Sequence, residues 1–315
     1  MTGSQHRVVN QSLSHQSNTS DIANTLKKIQ QQVQWQDQRA LSKLQIAYNL
    51  ILPYPFLLLS WWLASQSWYL PACVATYFFF AAAFRQAHDG YHHSLNISKR
   101  ATTAILLLLS TLLLTSLHSI RATHMEHHRN PLGDSDVEGS LAKLPWYQAM
   151  LGGVKYRFDI YRQGLTLSNR GNRRLAWLEF MLIFLVVAMI ATSLFSAATP
   201  NVWSQVAAYH LITMVLANAS VGVIAVWGVH HDCGDEVMAR TERNKLVNAL
   251  TFNLLYHAEH HLFPAVPSNH LPELARRLDE AFPSATQLRV IPTNRAANAN
   301  DDLKPKHCPL RNRFA

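Results

Sequence analysis

The chain has 315 residues, and 28 basic against 19 acidic side chains leave a formal charge of +9. Only 15% of residues are charged while 49% are hydrophobic, so long stretches must carry no charge at all. That content excludes disorder throughout, and three scattered cysteines (Cys73, Cys233 and Cys308) exclude a disulfide scaffold. The most unusual count is histidine: there are 17.

Residues 1–19 are rich in Ser, Gln, Asn and His and hold no apolar run of the kind a secretory signal needs. They are expected to form a flexible polar tail. From Ser20, as N-cap, the stripe Ile22, Leu26, Ile29 and Val33 predicts a helix, lying on a membrane surface or docked on the protein. No charge occurs between Lys43 and Arg85, and the Gln66-Ser67 region divides that run into expected spans at 45–65 and 68–84. Residues 101–120 form a second uncharged run, and a third, from Glu179 to His231, divides near Pro200-Asn201 into spans at 176–198 and 204–229. A bilayer core takes roughly 20 apolar residues per helix, so these are membrane segments rather than core helices.

Lysines and arginines precede the first span, follow the second, fill 121–174 and resume from Arg240, while the links at 66–67 and 199–203 have none. The positive-inside rule then puts both termini and the 121–175 loop in the cytoplasm. Four full crossings fit. The 101–118 segment is expected to be re-entrant or shallow, because a full crossing would move the next loop to the opposite face. The excess charge is assigned to membrane orientation and headgroup contact, with no nucleic-acid partner. Leu271, Leu274, Leu278 and Phe282, with Pro272 in the first turn, predict a cytosolic helix under the bundle.

Three histidine clusters stand at span ends: His88, His92 and His93; His124, His127 and His128; His257, His260 and His261. Spacings of three or four residues share one helix face, and the topology brings all three clusters to one membrane face. Eight or nine imidazoles exceed what one zinc takes, and Met125 and Ala258 stand where a zinc protease needs Glu. The count favours a two-metal site. A membrane metal transporter or metal-binding protein is the reading from a different class, but transporters place polar ligands near the bilayer midplane.

The patterns H-D-x-x-H-H, H-x-x-H-H and H-x-E-H-H on this hydropathy resemble the histidine boxes of the membrane fatty-acid desaturase and hydroxylase superfamily. The stretch Asn253 to Pro264 resembles the third box, as does the Leu271-Pro272-Glu273-Leu274 that follows. The resemblance covers roughly 45–282, so that 20–282 forms a membrane desaturase-like domain with a cytosolic cap and 283–315 an irregular tail. It implies an all-α integral membrane protein of about four transmembrane helices plus the re-entrant or shallow segment, with a helical cytosolic cap holding a di-metal site. It further implies two non-haem iron ions, O2 as co-substrate, and electrons from a separate carrier such as a ferredoxin, a rubredoxin or a cytochrome b5-like protein.

Carried over by position, the catalytic and metal-binding residues are His88, His92, His93, His124, His127, His128, His257, His260 and His261, with either His92 or His93 a ligand. His230 or His231 is a further ligand, and spacing does not choose between them. Asp89, Glu126, Glu259, Asp134 and Asp136 are expected to accept hydrogen bonds from ligand N–H groups, with Glu138 in the same acidic loop and Arg121 as its other possible partner. His118, His210 and His270 stay outside the motifs. The implied activity is desaturation of a membrane lipid or acyl chain. Hydroxylation or ketolation of a carotenoid or other lipid is the rival in the same scaffold.

Overall fold

In the computed structural model, which describes residues 28–196, 201–233, 238–283 and 287–291, every regular element is helical. One isolated bridge, Thr241 to Arg289, is the only β pairing among the described residues.

Ser42 and Gln45 form a reciprocal capping box that starts α1 (Lys43–Ile51). Pro53 then opens α2 (Pro53–Ser65), where its missing N–H leaves no bond unmade. Together Lys43–Ser65 makes a 23-residue stretch apolar enough to cross a membrane.

The next helix, α3 (Tyr69–Tyr91), covers the expected span at 68–84 but does not end there. Its last two turns carry Arg85, Gln86, His88 and Asp89, all buried in protein. These polar groups take α3 out of the set of apolar spans. Among the described residues three stretches qualify by length and hydropathy, Lys43–Ser65, Arg170–Phe195 and Val202–His230, with a fourth if the bent pair Lys99–Leu113 and Leu117–Arg129 makes one span.

The uncharged run at 101–120 is broken. Helices α4 (Lys99–Leu113) and α5 (Leu117–Arg129) meet at 109°. Leu114 takes the left-handed conformation (φ 52°), its N–H closing on Ser110, and Ser116 caps the first turn of α5. The corner is fastened by Glu179, wholly buried on α8 (Arg170–Ser196). Its carboxylate accepts from Ser110 Oγ at 2.5 Å, Ser116 Oγ at 2.8 Å, and the His118 backbone N–H at 3.0 Å, and lies 2.6 Å from His118 Nδ1. A carboxylate this deep in an apolar helix is tolerable only when so completely hydrogen-bonded. His118 thus serves the corner and not the histidine clusters.

After α6 (Trp146–Leu151), helix α7 (Gly153–Leu167) lies close against α5 and α9 (Val202–Gly222). A Cβ at Gly164 would stand 2.3 Å from the Ser119 carbonyl, and one at Gly153 2.5 Å from that of Ala219. Only glycine permits these approaches. A π turn, Val223–Trp227, joins α9 to the single turn α10 (Gly228–His230). His210 bridges spans by accepting from Trp61 Nε1 at 3.2 Å and donating from Nε2 to the Leu112 carbonyl at 2.8 Å.

Three further helices follow among the described residues: α11 (Lys245–Leu250), α12 (His257–Leu262) and α13 (Leu271–Ala281). The predicted stripe of α13 is buried, with Leu271, Leu274 and Leu278 packed on Phe263 and Val266. Ile29 and Val33 join that core. The described end of the N-terminal helix is therefore docked on protein rather than laid on lipid, while Ser20, Ile22 and Leu26 fall outside the described residues. His270 hydrogen-bonds the Gln38 carbonyl at 2.8 Å from Nδ1, fixing the same junction.

Candidate metal centre

Four elements deliver the histidines. The end of α3 carries His88 and His92, α5 carries His124, His127 and His128, α10 ends at His230, and α12 carries His257, His260 and His261. They converge as two groups, each with ligand nitrogens within 4.8 Å of one another. The first is His88, His92, His124, His128 and His260; the second is His127, His230, His257 and His261.

In the second group the Nε2 atoms form a closed ring. His127 to His230 is 3.0 Å, His230 to His257 2.9 Å, His257 to His261 3.1 Å, and His261 to His127 3.2 Å. In the first, His92 to His124 is 3.0 Å, His124 to His128 3.2 Å, and His128 to His260 2.9 Å. An ion held by imidazole nitrogens at roughly 2.1 Å separates ligands at right angles by roughly 3.0 Å. The observed spacing matches that value.

At three of the rings the opposite edge fixes which nitrogen carries the proton. His230 Nδ1 lies 2.7 Å from the Met238 carbonyl, which can only accept, so Nδ1 carries the proton. His127 Nδ1 is 2.7 Å from Asp136 and His124 Nδ1 is 2.8 Å from Glu138. With Nδ1–H donating outward, a neutral ring presents a bare Nε2 lone pair inward. In their neutral forms His127 and His230 therefore face each other lone pair to lone pair across 3.0 Å, although burial of His127 is outweighed by Asp136 and Glu138, which raise it above the ordinary imidazole range. Neutral rings held in that way call for a cation between them. His88 adds a buried ring with no partner at either nitrogen, 4.2 Å from the His260 ring.

Burial keeps the third cluster neutral: it pushes His257, His260 and His261 well below the ordinary imidazole range, and the neighbouring rings push further. Burial also raises Glu138 to about 7. Asp136 is pushed up by burial, but its bonds from His127 and from the backbone N–H groups of Gly139 and Leu132 bring it below its usual value overall.

Two candidates lie outside the groups. His93 is exposed in a left-handed conformation (φ 56°) at the end of α3, with Nε2 2.8 Å from Arg121. The turn out of the helix sends its ring away from His92. His231 stacks on Trp227 at 4.0 Å and donates to the Trp227 carbonyl, away from the centre. Of the acidic residues, Asp136 alone of the expected five bonds a clustered histidine. Asp89 is 3.9 Å from His88 and accepts from Ser268 instead. Glu126 holds Arg129 and Ser135. Glu259 accepts from Arg243 and Thr241, tying α12 to the cap. Asp134 is exposed. Arg121 meets no carboxylate of the acidic loop; it donates to the Tyr91 carbonyl. The Met238 carbonyl had no signal in sequence, since any residue supplies one.

No curated protein matches the chain. The family model described as fatty acid desaturase matches residues 72–292, which takes in every clustered histidine, His230 and α13. The chain belongs to the fatty acid desaturase family.

Proposed function

We propose that the protein is a membrane-bound, O2-dependent desaturase of lipid acyl chains. In this reading His88, His92, His124, His128 and His260 hold one iron ion, and His127, His230, His257 and His261 hold a second. The observation that carries it is the inward set of Nε2 lone pairs fixed by outward Nδ1 donors. Imidazole nitrogens suit iron. A pair of irons, with O2 and reducing equivalents, supplies the oxidant needed to take hydrogen from an unactivated methylene. The chain's own contribution is geometric. Asp136, Glu138 and the Met238 carbonyl orient three of the rings, burial keeps the third cluster neutral, and the α4–α5 corner sets the height of α5 and its three histidines.

The lysine and arginine distribution supports a cytoplasmic site, with both termini on that side. A lipid enters from the bilayer, and a ferredoxin, rubredoxin or cytochrome b5-like carrier reaches the site from the cytosol. Elemental analysis of purified protein tests the metals, with two irons per chain expected. Lipid mass spectrometry of cells with and without the gene, under labelled O2, tests the reaction. Loss of two hydrogens with no label supports desaturation, and a product holding one labelled oxygen overturns it in favour of hydroxylation.

A further inference from the structure

Beside the first histidine group lies a cavity of about 40 Å³, room for a few water-sized groups. Its wall is mainly apolar, with Phe80, Phe84, Leu113 and Ile160, and it reaches His88 and His124. Six further polar residues line it; Thr115, Tyr156 and Arg157 are bonded to the Tyr161 hydroxyl, the Glu138 carbonyl and the Asn218 carbonyl, which leaves Tyr91, Glu138 and Asn218. Each of them has a buried oxygen with no hydrogen-bond partner: Tyr91 Oη, Glu138 Oε2 and Asn218 Oδ1. Buried polar atoms are nearly always paired, so three orphans around one cavity point to something that fills it.

The chemistry of the missing partner follows from the orphans. Asn218 gives both hydrogens of its amide to backbone carbonyls, Leu113 at 2.7 Å and Met214 at 2.9 Å, so the unpartnered atom is an acceptor. Glu138 already faces His124 through Oε1, and its free oxygen is a second acceptor. Tyr91 is 2% exposed and offers a hydroxyl that both donates and accepts. An alkane satisfies none of these groups. A hydroxyl satisfies two at once, donating to Asn218 and accepting from Tyr91.

We infer that this cavity is a subsite for a hydroxyl carried by the lipid substrate, read by Tyr91 and Asn218 with Glu138 as the additional acceptor. The inference rests on the proposed lipid oxidation at the neighbouring histidines and names the class of lipid: one with an alcohol group close to the carbon that reacts. The remaining source of an O–H group is water, and the test separates the two.

Purified protein in detergent is titrated with stearyl alcohol and with the alkane of equal length, each displacing a fluorescent lipid. The expected result is binding of the alcohol roughly tenfold tighter than the alkane, the advantage of one satisfied buried hydrogen bond. Tyr91→Phe, which keeps the ring packing, and Asn218→Leu should reduce the alcohol to the alkane's affinity while the alkane is unaffected. Equal affinity of the two ligands for the unaltered protein overturns the subsite and assigns the cavity to water. Retention of the full preference in both variants overturns it also. Either failure, with two hydrogens still lost from acyl chains in the lipid analysis, leaves the proposed reaction standing.

Discussion

Asp136 Oδ2 lies 2.7 Å from His127 Nδ1, and the same carboxylate accepts the backbone N–H groups of Leu132 and Gly139. One acidic side chain thus folds the loop after α5 and fixes which nitrogen of His127 carries the proton. Asp136→Asn keeps an acceptor but removes the charge. It should weaken metal at the His127 group by roughly 10–100-fold while sparing the other group. Metal titration after chelation checks this; unchanged affinity for both ions would show that Asp136 serves the loop alone.

Adjacent histidines give an internal control. His92→Ala and His230→Ala should each reduce bound metal and abolish lipid oxidation, because each removes a nitrogen from a closed group. His93→Ala and His231→Ala should leave metal content unchanged, since their rings turn to Arg121 and Trp227. Elemental analysis of the four proteins side by side is the measurement. Metal lost equally from both members of a pair would contradict the geometry.

The reason those pairs were indistinguishable in sequence is local backbone. His93 follows the end of α3, where a left-handed residue redirects the chain. His230 follows a π turn, which slips the helix by about one residue and so rotates everything after it by roughly 100°. Helical spacing, the tool that placed the three clusters, assumes neither event. It was reliable within α5 and α12, where His124 and His128, and His257 and His261, share a regular face. Hydropathy likewise found the long apolar helices but overrated α3, whose final turns trade lipid for buried polar contacts. Glu259 and Glu126 sit beside histidines in sequence and point away, because neighbours on a helix do not face each other. Proximity in sequence is the wrong guide to the carboxylates; the loop residues Asp136 and Glu138 are the ones that reach clustered histidines.

Glu179 is expected to be the most sensitive position distant from the metal groups. Glu179→Leu strands Ser110, Ser116 and His118 without their acceptor in a buried setting. The loss should be on the order of 3 kcal/mol in stability. Glu179→Gln, which retains one acceptor oxygen, should lose less. Thermal unfolding in detergent ranks the three proteins, and an unchanged midpoint for the leucine variant would mean the corner holds without this network.

Membrane sidedness follows from the positive-inside assignment. With Cys73, Cys233 and Cys308 replaced, Ser98→Cys and Ser135→Cys should label from the cytosolic side and Trp203→Cys from the opposite one. All three positions are exposed. Opposite labelling of 98 and 135 would mean that the bent α4–α5 pair crosses the bilayer, and would place its two ends on different sides.

The cap should loosen in acid. Arg277 and Gln38 hydrogen-bond Asp37 and bring its carboxyl from 3.8 to about 2. Arg276 and then Arg277 bring Glu273 from 4.5 to about 2. The Arg277–Asp37 pair, at 2.8 Å, pins α13 to the segment before the first span, while Glu273, on α13 itself, holds Arg277 in place at 2.9 Å. Both carboxyls have folded values below their unfolded ones. Their contribution is therefore complete above about pH 4.5 and is lost as the pH falls toward 2. The pairs are solvent-exposed, so salt should shrink the effect. Asp37→Asn should unfold at a lower temperature than the unaltered protein near neutral pH, and the gap should close in acid or in high salt. A gap that persists at low pH would show that Asp37 contributes through packing rather than charge.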